Sequence, residues 1–147
     1  MLRTLITCAV LATATLAGAD SKKPVVTITD KTIELASPIY FETAKPVIKQ
    51  ESFATLDALA AAIKADKHLA MIEVQSHTDE RGDNKWNLEI SQQRADAIVQ
   101  ALVDRGIDAK RLRAKGYGET RPLDKHHNAA AWAKNRRIAL VILQRIT

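Results

Sequence analysis

AMIEVQSHTDERGDNKWNLEISQQRADAIVQALVDRG, Ala70 to Gly106, changes its hydrophobic period once. Ala70-Met71-Ile72-Glu73-Val74-Gln75 alternates as a strand does, whereas Ile90, Ala95, Ile98, Val99 and Leu102 recur at helical spacing. Between them lies a charged segment with one glycine, His77 to Trp86, which reads as a loop. The helix is expected over 87–105, opened by Asn87 and closed by Gly106 at the position after its C-terminus, where glycine tolerates the left-handed turn.

The flanking sequence repeats the scheme. Val25-Val26-Thr27-Ile28 and Thr32-Ile33-Glu34-Leu35 read as a β-hairpin around Thr29-Asp30-Lys31, and Pro38-Ile39-Tyr40-Phe41 as an edge piece or loop. Phe53, Leu56, Leu59, Ala60 and Ile63 form the apolar face of a helix over 52–66, with Ser52 as its N-cap. Arg111 to Gly118 reads as a strand leaving through a glycine bend, and residues 120–135 as irregular or a short helix. Ile138-Ala139-Leu140-Val141-Ile142-Leu143 is apolar on both faces and suits a central strand. The order predicts an α/β (α+β) fold, a mixed sheet with helices packed on it.

Composition sets the outer limits. The chain has 147 residues, 46% hydrophobic and 27% charged, enough for one domain with a real core and too few for two ordinary ones. One cysteine excludes a disulfide framework and a multi-cysteine zinc site. No apolar run reaches the length of a membrane span. MLRTLITCAVLATATLAGA, residues 1–19, carries one charge, Arg3, and ends in the small-residue pattern Ala17-Gly18-Ala19. It reads as a secretory signal peptide, with Cys8 an ordinary part of it rather than a lipidation site. Its removal takes the net charge from +5 to +4 and leaves one domain over 20–147, without cysteine and without a transmembrane segment. That charge is modest, and export leads away from nucleic acid, so nucleic acid is not expected as a partner.

Three constellations could carry chemistry. Ser76-His77-x-Asp79 suggests a hydrolase, but neighbours on a strand point to opposite faces, and no Gly-x-Ser-x-Gly elbow exists. His77, Asp79, His126 and His127 lack metal-ligand spacing, so no metal is expected. The third set is Asp79, Asn87 and Arg94, with Asn135-Arg136-Arg137 downstream. Asp79 follows the carboxyl end of a strand, the usual ligand position in sheets with helical crossovers. Helix N–H groups at Asn87 favour an anion, and the Arg94 side chain leans back toward the same end. One carboxylate and one guanidinium around a pocket suit a zwitterion: an ammonium on Asp79 and a carboxylate gripped by Arg94. The same residues equally support an internal Asp79–Arg94 salt bridge that orders the loop.

Four motifs in order resemble the OmpA C-terminal-like domain found in peptidoglycan-associated lipoprotein and MotB. They are Ile72-Glu73-Val74-Gln75-Ser76-His77-Thr78-Asp79, Asn87-Leu88-Glu89-Ile90-Ser91-Gln92-Gln93-Arg94-Ala95, Gly116-Tyr117-Gly118-Glu119-x-x-Pro122 and Asn135-Arg136-Arg137. The resemblance covers about residues 25–145. It implies a four-stranded mixed sheet in β-α-β-α-β-β order, no enzymatic activity, no cofactor, and non-covalent binding of peptidoglycan through the diaminopimelate of the stem peptide. It places the ligand contacts on Asp79, Arg94, Asn87 and Arg136. Ser76, Ala44 and Ala131-Trp132 depart from the family's pattern at the pocket's rim. The implied location is the periplasm, at the cell wall and outer membrane, with envelope proteins as further partners. The rival reading is a protein-interaction subunit of an outer-membrane or secretion assembly whose pocket is vestigial.

Overall fold

The computed structural model describes residues 26–147; the expected signal peptide lies outside them. Elements follow the chain as β1 (Val26–Ile28), β2 (Thr32–Leu35), α1 (Phe53–Ala65), β3 (Leu69–His77), α2 (Asn84–Asp104), β4 (Leu112–Gly118), α3 (Ala129–Asn135) and β5 (Arg137–Arg145). They build one five-stranded sheet in the order β1-β2-β5-β3-β4. The α/β class and the helix-on-sheet packing are as expected. The sheet has five strands rather than four, because the N-terminal hairpin adds both of its strands, antiparallel, to the edge beyond β5.

β5 is the middle strand, antiparallel to β2 and to β3, as its apolar run predicts. β3 and β4 are parallel, joined by α2 as crossover. Alternation along β3 sends Ile72, Val74 and Ser76 to the helix side, opposite Leu112, Ala114 and Gly116 of β4 and Ile142, Leu140 and Ile138 of β5. Ile33, Leu56, Leu59, Ile63, Ile98 and Leu102 close the core against this face.

Two helix starts differ from expectation. Ser52 is not a side-chain cap: it is helical and buried, and its Oγ accepts from the Tyr40 N–H at 2.7 Å. It thereby ties the 38–41 segment to α1. α2 begins at Asn84, three residues before Asn87, because the Asp83 carboxylate accepts the Trp86 N–H at 2.9 Å and supplies the N-cap. Asn87 is thus a buried residue one turn into the helix rather than its opening residue. The helix ends as expected: Gly106 takes φ +91°, and the Ile107 N–H returns to the Leu102 carbonyl at 3.1 Å.

α2 lies along the free edge of β4 and completes it. The Gly116 N–H donates to Gln92 Oε1 at 2.9 Å, Gln92 Nε2 donates to the Ala114 carbonyl at 3.3 Å, and the Gly118 N–H donates to Ser91 Oγ at 2.9 Å. Helix side chains thereby take the place of a further strand and remove an exposed edge. The approach is so close that a Cβ at Gly116 would fall on the Gln92 backbone, 2.5 Å from its Cα. Gly116→Ala is therefore expected to destabilise the fold by at least about 2 kcal/mol, because neither backbone can yield cheaply. Urea denaturation measures this directly.

Candidate ligand-binding site

The site forms where β3 ends. The Thr78 N–H donates to the Gly118 carbonyl at 2.9 Å, carrying the chain beyond the strand on the support of β4. Asp79 follows, only 6% exposed. A carboxylate so far out of water must be bonded on every side, and this one is. Oδ1 accepts from the Arg81 N–H at 2.9 Å and from Arg81 Nε at 3.0 Å. Oδ2 accepts from Arg81 Nη2 at 2.8 Å and from Arg136 Nη1 at 2.7 Å. Burial opposes the charged form, but the Arg81 and Arg136 hydrogen bonds overcome it and hold Asp79 well below the usual carboxylate range.

A pocket of about 270 Å³ opens beside this cluster, lined by Ala44, Thr78, Asp79, Arg81, Trp86, Asn87, Ile90, Arg94 and Arg136. The four residues singled out in the sequence therefore line one cavity. Their roles in holding it differ. Asn87 uses its amide on the loop itself: Nδ2 lies 3.3 Å from the Asp79 carbonyl, 3.0 Å from the Arg81 carbonyl and 2.9 Å from Glu119 Oε2. It positions the loop, and with α2 starting at Asn84 it no longer marks the helix N-terminus.

Arg94 makes no salt bridge to Asp79. Its Nε donates to the Lys45 carbonyl at 3.2 Å, and its guanidinium sits 5.2 Å from the centre of the Phe41 ring. Half-buried, it has no acidic partner within salt-bridge distance among the described residues, and burial lowers its pKa from the ordinary arginine value. A cation in that state is ready for an incoming anion. The segment that holds it is a short hairpin, bridged at Phe41 and Ile48, with Ala44 in the left-handed region at φ 54°. A second groove of about 650 Å³ continues from Arg94 and Arg136 beneath this hairpin.

Arg81 is the residue the sequence reading missed. Its signal was local: two residues after a loop aspartate, the backbone N–H can close a tight side-chain turn, and a long basic side chain at that position can fold back onto the same carboxylate. Trp132 packs rather than covering the cavity. Its ring lies under the Arg81 guanidinium at 4.5 Å, and its Nε1 donates to Glu80 at 2.9 Å. His127 also meets Glu80 and His126 meets Asp124, each at 2.6 Å, so neither histidine joins His77 and Asp79.

His77 stands on the sheet face opposite Ser76, as strand alternation requires. Its ring stacks on Tyr117 with centroids 5.2 Å apart. Nε2 lies 3.3 Å from Gln75 Oε1, while Nδ1 is buried with no partner among the described residues. The neutral tautomer with the proton on Nε2 satisfies this arrangement, whereas a second proton on Nδ1 would be stranded. Burial first, then the charges of Arg137 and Arg121, lower the His77 pKa to about 4.

The sequence comparisons agree with one another. A family-wide sequence model described as the OmpA family matches residues 40–136. The peptidoglycan-associated lipoprotein of Haemophilus influenzae is 40% identical over 102 residues, covering 69% of this chain and 66% of that protein. The protein of the same name from Pseudomonas aeruginosa is 35% identical over 101 residues, 69% of this chain and 59% of its own length. The chain thus spans less than two thirds of these curated relatives. The crystal structure of the peptidoglycan-associated lipoprotein from Burkholderia pseudomallei superposes with a TM-score of 0.63 at 33% identity, covering 72% of this chain and 90% of that one.

The His77 environment makes stability depend on pH. The folded state holds the imidazole neutral down to about pH 4, while the unfolded chain protonates near pH 6.5. The contribution is complete above pH 6.5 and is lost as pH falls toward 4. Stability is expected to drop by about 2–3 kcal/mol between pH 7 and 4.5. His77→Phe should flatten that slope in urea titrations at the two pH values.

Proposed function

This chain belongs to the OmpA family, and from that membership and the pocket's geometry we propose that it binds peptidoglycan non-covalently in the bacterial envelope. The observation that carries the reading is one cavity walled by a carboxylate, Asp79, and by the guanidinium groups of Arg94 and Arg136. Such walls complement a ligand bearing both charges close together. The diaminopimelate of the stem peptide is that ligand: its free end carries an ammonium and a carboxylate on one carbon. The ammonium goes to Asp79. The carboxylate goes to Arg94, with Arg136 as a second contact. Asn87 keeps the loop in place. The domain over 20–147 serves as the binding module, located in the periplasm at the cell wall and outer membrane, where it contributes to envelope integrity without turning its ligand over. The names of the three relatives, each a peptidoglycan-associated lipoprotein, support the wall as partner.

A single pocket this small gives modest affinity, and the repeated stem peptides of a sacculus raise it through avidity. Removing one member of a desolvated charge pair costs about 2–5 kcal/mol, roughly thirtyfold or more in binding. Asp79→Ala and Arg94→Ala should each abolish co-sedimentation with purified sacculi while circular dichroism still reports a folded domain. Free diaminopimelate should release the wild-type protein from the pellet. Pelleting of both variants at the wild-type level would exclude this site.

A further inference from the structure

The Asp79 carboxylate is saturated by the protein's own groups. It has about four lone-pair positions, and the four hydrogen bonds from Arg81 and Arg136 use them all. An external ammonium cannot bond to it without replacing one. The Arg81 backbone bond belongs to a turn that Asn87 clamps through the Arg81 carbonyl at 3.0 Å. The Arg136 guanidinium faces both this cavity and the adjoining groove, where a ligand carboxylate would keep it. The Arg81 guanidinium is the group free to leave: its side chain is 55% exposed, and besides Asp79 it meets the face of the Trp132 ring.

Charge points the same way. The lining residues carry one negative side chain, Asp79, and three positive ones, Arg81, Arg94 and Arg136. The cavity is thus doubly positive, which suits an anion and repels an ammonium. Removing one guanidinium exposes the carboxylate and halves that excess.

We propose that Arg81 is an internal stand-in for the ligand's ammonium, holding Asp79 in the free protein and giving way when a zwitterion enters. Resting on the diaminopimelate reading above, this assigns Arg81 as a specificity-determining residue. The exchange trades one cation for another on the same oxygens, so the number of charge-assisted bonds to Asp79 is kept. A ligand with carboxylates but no amine has nothing to offer in the exchange and meets the doubly positive cavity instead.

The test is calorimetric titration of the folded protein with meso-diaminopimelate and, in parallel, with pimelate, which lacks both amines. Arg81→Ala and Arg81→Gln should bind diaminopimelate at least about tenfold more tightly than wild type, because the two competing charge-assisted hydrogen bonds of the Arg81 side chain are gone. The same variants should bind pimelate more weakly, since Asp79 is then exposed to an anion. A second readout leaves Arg81 in place: in Trp86→Phe the remaining indole is Trp132, and diaminopimelate should change its emission as the guanidinium leaves the ring. Equal affinities in the Arg81 variants and wild type, weakening toward both ligands, or a silent Trp132 at calorimetric saturation would each overturn the exchange. The site itself is judged separately. If Asp79→Ala and Arg94→Ala bind diaminopimelate like wild type, the diaminopimelate reading fails. If they lose binding while the Arg81 variants match wild type, the exchange alone fails.

Discussion

A carboxylate 6% exposed at the end of a strand has to be neutralised, and the arrangement around Asp79 follows from that requirement. Two guanidinium groups reach it from separate parts of the chain: Arg81 from the same loop and Arg136 from the junction of α3 and β5. Their bonds close the loop against the sheet and leave Arg94, on α2, facing the same cavity without an acidic partner among the described residues. Burial of one negative charge thus creates a site rich in positive charge. That surplus distinguishes the cavity from an ordinary satisfied ion pair, whose partners would have no use for a ligand.

The cluster holds its geometry because the scaffold beneath it is bonded across elements. Ser91 takes the Gly118 N–H, the Gly118 carbonyl takes the Thr78 N–H, and Thr78 adjoins Asp79. α2, β4 and the loop are therefore linked through both backbone groups of Gly118, held by the short Ser91 side chain on one side and by Thr78 on the other. Asn87 adds the loop's carbonyls and Glu119 to the same helix. Gly116 permits this, since only without a Cβ can β4 approach Gln92 so closely. Arg94 comes from the same helix, so its distance from Asp79 is set by this contact rather than by a flexible loop.

Much of this was legible in the sequence because hydrophobic period survives folding. The alternation of Ala70–Gln75, the helical spacing from Ile90 to Leu102 and the two-sided apolar run of β5 gave strand, helix and central strand in their observed places. Three features were not legible, each because a side chain could choose among partners. Ser52 is a good cap in composition, yet its hydroxyl serves Tyr40, twelve residues earlier in the chain. Asp83 rather than Asn87 starts α2, because its carboxylate accepts the Trp86 N–H, whereas the Asn87 amide donates to the loop carbonyls and Glu119. Arg81 looked like one more charge in a solvated loop. Its role depends on the burial of Asp79 and on the place of Trp132, which are set by packing distant in sequence.

The two titratable groups at the end of β3 respond to acid in opposite order. The stability that neutral His77 contributes is lost as pH falls from 6.5 toward 4, because the unfolded imidazole takes up a proton that the folded one resists, through burial first and then the charges of Arg137 and Arg121. Asp79 keeps its charge throughout that range, since its hydrogen bonds hold its pKa well below that of a free carboxylate. Acid therefore weakens the scaffold before it discharges the site. A loss of wall binding between pH 6.5 and 4 would follow unfolding rather than protonation of Asp79, and the two are separable because His77→Phe removes the first without touching the second. Placing the pH-sensitive group on the face opposite Ser76, outside the Asp79 cavity, leaves the pocket's own charges constant wherever the fold persists.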